Sequence, residues 1–134
     1  MTTRHATCSC GQLAATCTGD PVRISVCHCL ACQKRTGSAF GVQARWKREE
    51  VAFEGASSVY RRVGDSGTPL TFHFCATCGS TVYYLLTHSD TEFVGVPVGG
   101  FADPTFPAPR VAVYEARQHS WARLPDSLDL ERYD

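Results

Sequence analysis

Apolar residues along this chain recur at every second position over short stretches, and glycines and prolines break the pattern roughly every eight to twelve residues. Alternation of this kind marks strands with one buried face, and the close punctuation predicts many short ones. The pattern predicts strands over Gln12–Cys17, Val22–Val26, Ala39–Arg45, Val51–Phe53, Ser58–Val63, Leu70–Phe74, Thr81–Leu86, Phe93–Val98 and Val111–Glu115. In Leu70–Phe74, Leu70, Phe72 and Phe74 share one face while Thr71 and His73 share the other. The run Ser80–Leu86 is apolar on both faces and rich in strand formers, which predicts a central position. Helical signal is thin. Leu30–Thr36 reads as two turns, with Gly37 as the stop and Lys34 and Arg35 in the last turn. Ser127–Tyr133 is a candidate terminal helix. The expectation is a mainly β fold of short antiparallel strands with one short helix beside a cysteine cluster, in a single domain over residues 1–134.

Composition narrows the classes of function. With 43% hydrophobic and 19% charged residues the chain is globular rather than disordered. Thirteen basic residues balance thirteen acidic ones, which argues against nucleic acid or anionic lipid as a partner. No apolar run approaches the ~20 residues of a membrane span, and the first residues lack the apolar centre of a secretory signal. These features predict a cytoplasmic protein without a membrane partner. In a reducing compartment eight cysteines read as ligands or catalysts rather than disulfides.

Seven of those cysteines fall into three groups: Cys8-Ser-Cys10-Gly11, Cys27-His-Cys29-Leu-Ala-Cys32 and Cys75-Ala-Thr-Cys78-Gly79. Two residues between Cys75 and Cys78 turn the backbone so that both thiolates converge on one ion. In Cys8–Cys10 both side chains leave an extended chain on one face, and Gly11 permits the bend that brings them together. Sulfur-rich tetrahedral sites favour zinc or iron–sulfur clusters. Cys8 and Cys10 with Cys75 and Cys78 make one four-sulfur site, clamping the N-terminal strand to a distant hairpin. Such a site contributes roughly 10–16 kcal/mol of apparent binding energy in peptides. Cys27, Cys29 and Cys32 remain as a second set. Three protein ligands and a vacancy mark a catalytic zinc; a fourth ligand from His28, His73 or Cys17 would make the same set structural. Spacing alone leaves both readings open.

The three cysteine groups, with Gln33-Lys34-Arg35-Thr36-Gly37-Ser-Ala-Phe40 after the second and Ser80 after the third, resemble the glutathione-dependent formaldehyde-activating enzyme family, which includes the centromere-protein-V-like proteins. The resemblance runs from about Thr7 to Trp121. It implies a β-tent-like zinc fold and two zinc ions per chain, with Cys8, Cys10, Cys75 and Cys78 structural and Cys27, Cys29 and Cys32 beside the thiol substrate. The implied reaction is that of S-(hydroxymethyl)glutathione synthase, a carbon–sulfur lyase working in reverse on glutathione and formaldehyde. A non-catalytic zinc module binding protein or chromatin, and a thiol stress sensor that releases zinc, are the alternatives.

A zinc ion held by three thiolates is a weak Lewis acid, but a thiol that coordinates it is deprotonated outright, and the thiolate is the nucleophile. Thiol activation for addition to a carbonyl is the chemistry such a site suits, with an acid for the oxygen still to be assigned. Lys34 and Arg35 are candidates to pair with glutathione carboxylates. Arg45, Lys47, Arg48, Arg61 and Arg62 could form a basic patch, offset in part by Glu49 and Glu50. His28, between two ligands, should leave the opposite face towards solvent or a supporting position. His73 reads as a packed residue, and His5, His88 and His119 as surface. Cys17 shares parity with Leu13 and Ala15 and reads as a small buried apolar group. Pro97–Gly100 reads as a turn, and Phe101 and Trp121 as core staples or pocket walls.

Overall fold

The computed structural model describes residues 1–134 and is mainly β. Its strands are β1 (Thr3–Thr7), β2 (Ala14–Thr18), β3 (Arg23–Cys27), β4 (Gly41–Lys47), β5 (Val51–Glu54), β6 (Ser58–Val63), β7 (Pro69–Phe74), β8 (Thr81–His88), β9 (Thr91–Pro97), β10 (Val111–Val113) and β11 (Glu131–Tyr133). The one α-helix, α1, covers Leu30–Thr36 and ends at Gly37 in the left-handed region, φ 67°. Every predicted strand is present within a few residues of its expected ends. No helix is long and apolar enough to cross a membrane.

Two sheets form. One has the order β1-β2-β5, the other β11-β10-β3-β4-β9-β8-β7-β6. The small sheet packs on one face of the large one, and period two decides what each face carries. Along β4, Ala44 and Trp46 enter the core while Gln43 and Arg45 point the other way. Ala6, Leu13, Ala15 and Cys17 come from the small sheet to meet Ile24, Val82, Val94 and Val96 of the large one. Cys17 is fully buried there, as its parity predicts.

The structure departs from the sequence-based expectation at several points. Ser127–Tyr133 is not helical: Glu131 N donates to Arg110 O at 2.9 Å and Tyr114 N to Tyr133 O at 2.9 Å. The open edge of β10 offers backbone partners that an isolated short helix lacks, so after a turn closed by Leu128 N to Pro125 O the last part, Glu131–Tyr133, is extended. The sheet is not purely antiparallel either, since β10 runs parallel to both β3 and β11. Strand β1 escapes prediction because Thr-Arg-His-Ala-Thr carries a single apolar residue, Ala6, which is buried. Trp121 is no core staple: it is 74% exposed, with its ring beside that of His119, 5.1 Å between centroids. Phe101 does pack, against Trp46 and Phe106, and Val98–Phe101 is one turn of 3-10 helix rather than a plain turn.

Candidate metal and thiol site

Cys8, Cys10, Cys75 and Cys78 converge, with their sulfurs within 4.8 Å of one another. The Cys8–Cys10 and Cys10–Cys75 sulfur separations are 3.6 and 3.7 Å. Four sulfurs around a tetrahedral ion at ~2.3 Å stand roughly 3.8 Å apart, so the spacing fits such an ion. N–H donors turn towards the sulfurs: Leu13 N to Cys8 at 3.3 Å and Gln12 Nε2 to Cys75 at 3.1 Å. Main-chain hydrogen bonding at Ser80, and then at Cys10, brings the Cys78 thiol down to about 5. This cluster joins the β1–β2 turn to the β7–β8 turn.

Cys27, Cys29 and Cys32 form a second group within the same 4.8 Å limit, and all three are buried. Cys27 ends β3, Cys29 caps α1 and Cys32 sits in its first turn, where its N–H donates to Cys29 Sγ at 3.3 Å. Hydrogen bonding to Cys27 does most to bring the Cys32 thiol down to about 5; Cys29, Arg35 and Arg62 add to this and burial opposes it. Cys27 is raised in turn by its bond to Cys32 and by burial. Both clusters could hold a metal ion.

No candidate fourth ligand joins the triplet. Cys17 lies in the core between the sheets. His73 stacks on Tyr83 and bonds Ser57 Oγ at 2.8 Å. His28 leaves the opposite face, as its place in a Cys-x-Cys predicts, yet it does not reach solvent: it is 1% exposed, because β10 and Phe40 cover it. Its Nδ1 has no partner. Burial lowers its pKa, with Glu115 acting against that, so the ring is neutral at pH 7.

The triplet lies in the wall of a cleft of about 420 Å³ on the free face of the large sheet. Arg23, Arg35, Arg45 and Arg62 line this cleft against two acids, Asp65 and Asp134. Asp65 is itself paired with Arg117 at 3.6 Å. Burial, and then the nearby Arg23, push Arg45 below its ordinary pKa, with Tyr84 opposing. Burial raises Tyr84, which keeps its hydroxyl protonated. The predicted basic patch thus divides. Arg45 and Arg62 face the cleft, Arg48 covers Phe53, and Lys47 and Arg61 are exposed. Of the two helix-end cations, Arg35 lines the cleft while Lys34 is exposed and takes no part in it. His88 is exposed, as expected, at the edge of the cleft, and exposed His119 bonds Gln33 Oε1 at 2.9 Å.

Arg23, Gln43 and Tyr84 were not singled out by sequence. A signal existed for two of them. Arg23-Ile-Ser-Val-Cys27 and Gly41-Val-Gln-Ala-Arg45 alternate polar with apolar in strands buried on one side, so their polar faces mark a second surface with its own use.

A family model described as glutathione-dependent formaldehyde-activating enzyme matches residues 3–117. The crystal structure of a Rhodobacter sphaeroides protein, 22% identical, matches with a TM-score of 0.57 over 75% of this chain and 91% of that one, a likeness that bears on the fold alone. No curated protein matches the chain.

Proposed function

The chain belongs to the glutathione-dependent formaldehyde-activating enzyme family, and from that premise we propose that its three-cysteine cluster activates an anionic thiol, glutathione in the first instance, for addition to formaldehyde. The observation that supports this most is the meeting of an incomplete sulfur set with an arginine-lined cleft. A zinc ion on Cys27, Cys29 and Cys32 would supply an ionised substrate thiol at neutral pH. A second zinc ion on Cys8, Cys10, Cys75 and Cys78 would be structural, fixing the turns that carry those residues.

The chain's own residues do the rest. Arg62, Arg45 and Arg23 receive the carboxylates of the thiol, and so set which end of it reaches the cluster. The sulfur lone pair forms the carbon–sulfur bond, the carbonyl π pair moves to oxygen, and that oxygen takes up a proton. The proton lost from the thiol balances it, and the product is an S-hydroxymethyl thioether. In the reverse direction this is a carbon–sulfur lyase. A non-catalytic zinc module would leave the half-buried arginines of the cleft without a task, which favours the enzyme. The chemistry suits a reducing cytoplasm, where the seven thiols stay available.

Carbon-13 formaldehyde mixed with glutathione gives the test. Zinc-loaded protein should speed the exchange between free aldehyde and adduct above the spontaneous rate. Cys32→Ser should remove that acceleration while keeping about one zinc and the fold. A folded, two-zinc protein that leaves the exchange rate unchanged would falsify the reading.

A further inference from the structure

The least satisfied polar atoms of the cleft belong to Arg35. Its Nε and Nη2 are buried and have no hydrogen-bond partner, a state that native structures avoid unless something else supplies the acceptor. The guanidinium reaches from the last turn of α1 to the backbone of Gly41 at the start of β4. A Cβ on Gly41 would begin 2.7 Å from Gln43 Nε2, 3.2 Å from Arg35 Nη2 and 3.5 Å from Cys32 Cβ. Glycine is what lets a guanidinium and an amide close over one spot beside a cysteine of the cluster. Gln43 is 6% exposed, and its Nε2 directs one N–H at Cys32 Sγ, 3.6 Å away, leaving a second to spend. Arg35 also lies against the Phe72 ring, 5.6 Å from its centroid, which holds its plane in the cleft. Donors of Arg35 and Gln43 converge here, and the one acceptor they are seen to engage is the Cys32 sulfur.

We propose that Arg35 and Gln43, meeting over Gly41, form a binding site for a small oxyanion beside the Cys27–Cys29–Cys32 cluster. Resting on the thiol–aldehyde reading above, the oxygen held there is that of the aldehyde. As sulfur adds to carbon and the π pair moves outward, the negative charge that develops on oxygen falls between N–H groups of Arg35 and Gln43, already placed and already desolvated. A guanidinium does not give up its proton at neutral pH, so the pair holds charge and water supplies the proton that completes the hydroxyl. The sequence-based role for Arg35, pairing with a carboxylate of the thiol, passes to Arg62, Arg45 and Arg23.

The zinc-loaded full chain, probed with formate, tests the site apart from turnover. Formate should shift the Gln43 side-chain amide and the Gly41 main-chain amide saturably in nitrogen–proton spectra. Arg35→Met should abolish the Gly41 shift and lower turnover per bound zinc on the order of 100-fold, with zinc content and the KM for glutathione unchanged. Gln43→Leu, which also gives up the N–H to Cys32 Sγ, should show the same loss per bound zinc when compared at saturating zinc. An Arg35 that merely offsets thiolate charge would give the opposite: zinc lost, turnover per zinc kept. That result, or the absence of any formate response in folded wild type, overturns the proposal. Should Arg35→Met not fold, Gly41→Ala, whose Cβ displaces the amide, takes its place and is expected to lose the formate response. If wild type does not accelerate the condensation, the thiol–aldehyde reading fails, and formate alone decides the site.

Discussion

Gln12 Nε2 donates to Cys75 Sγ at 3.1 Å across 63 residues of sequence, and the same side chain closes a two-way pair with the main chain of Ala56, Nε2 to O at 2.8 Å and N to Oε1 at 3.0 Å. One amide therefore ties the four-cysteine cluster to the turn after β5. Supporting bonds of this kind orient ligands, and removing one typically lowers metal affinity about 10–100-fold. Gln12→Leu is expected to release metal from this cluster at least about tenfold more readily in chelator competition. A Cys32→Ser background isolates the site. Retention equal to the parent would show that the bond to Cys75 does nothing for the ion.

Cys17 offers a pH prediction free of the metal sites. Burial raises its thiol to about 12; Arg4 opposes this and Glu50 adds to it. In the unfolded chain the thiol ionises near its ordinary value of 9.0, so above that pH the unfolded state loses a proton that the folded state keeps. Stability from this group is whole below pH 9 and falls as pH rises from there towards 12, by up to ~1.4 kcal/mol per unit. Cys17→Ala should flatten the loss of urea midpoint between pH 9 and 10.5, at the cost of a small cavity. An unchanged slope would mean that Cys17 ionises in place.

Legibility followed chemistry more than it followed topology. The cysteine groups were readable because ligand spacing is local: Cys75 and Cys78 meet through their own turn, and Cys29 and Cys32 through the first turn of α1. Strand positions were readable because alternation is local too. What joins distant segments was not. Strand β11 exists because Arg110 O and Tyr114 N are left open along β10, and nothing within Ser127–Tyr133 announces that. For His28 the alternation gives the face but not the surroundings: solvent and a supporting position are both open in the sequence, and only the cover from β10 excludes solvent. The arginines of the cleft are spread from Arg23 to Arg62, and only the sheet order brings them to one surface.

Arg62 and Lys34 make a matched pair of tests for that surface. Arg62 lies over the Phe72 ring at 5.1 Å and lines the cleft, whereas Lys34 stands outside it. A lost charge-assisted contact costs about 1.5–3 kcal/mol, so Arg62→Gln should raise the KM for glutathione about tenfold or more, with kcat little changed. The wild-type KM should also climb with added salt, as screening weakens the arginine field. Lys34→Ala should match wild type in both constants. Equal effects of the two substitutions would show that net charge near α1 matters and the cleft does not.

Tyr84 supplies the last test, because its position depends on a residue it does not touch in sequence. In register, Phe72 faces Tyr84, Tyr84 faces Gly95, Gly95 faces Arg45 and Arg45 faces Arg23, a single row across five strands on the cleft side. The Tyr84 ring crosses β9 over Gly95, where any Cβ would fall inside van der Waals contact of its Cζ and both Cε atoms. Gly95 is thus the opening through which the phenol reaches towards Arg45. In Gly95→Ala the ring must swing back towards β7 or the strands must part. Overpacking of this order costs about 1–3 kcal/mol, and the larger consequence is expected in the cleft: Tyr84 loses its neighbour Arg45, and the floor beneath the thiol's acidic groups changes shape. A lower melting temperature together with weaker glutathione binding in Gly95→Ala, and no further loss of either when Gly95→Ala is added to Tyr84→Ala, would establish the steric cause. If glutathione binds Gly95→Ala as it binds wild type, the row of residues from Phe72 to Arg23 does not form the binding floor.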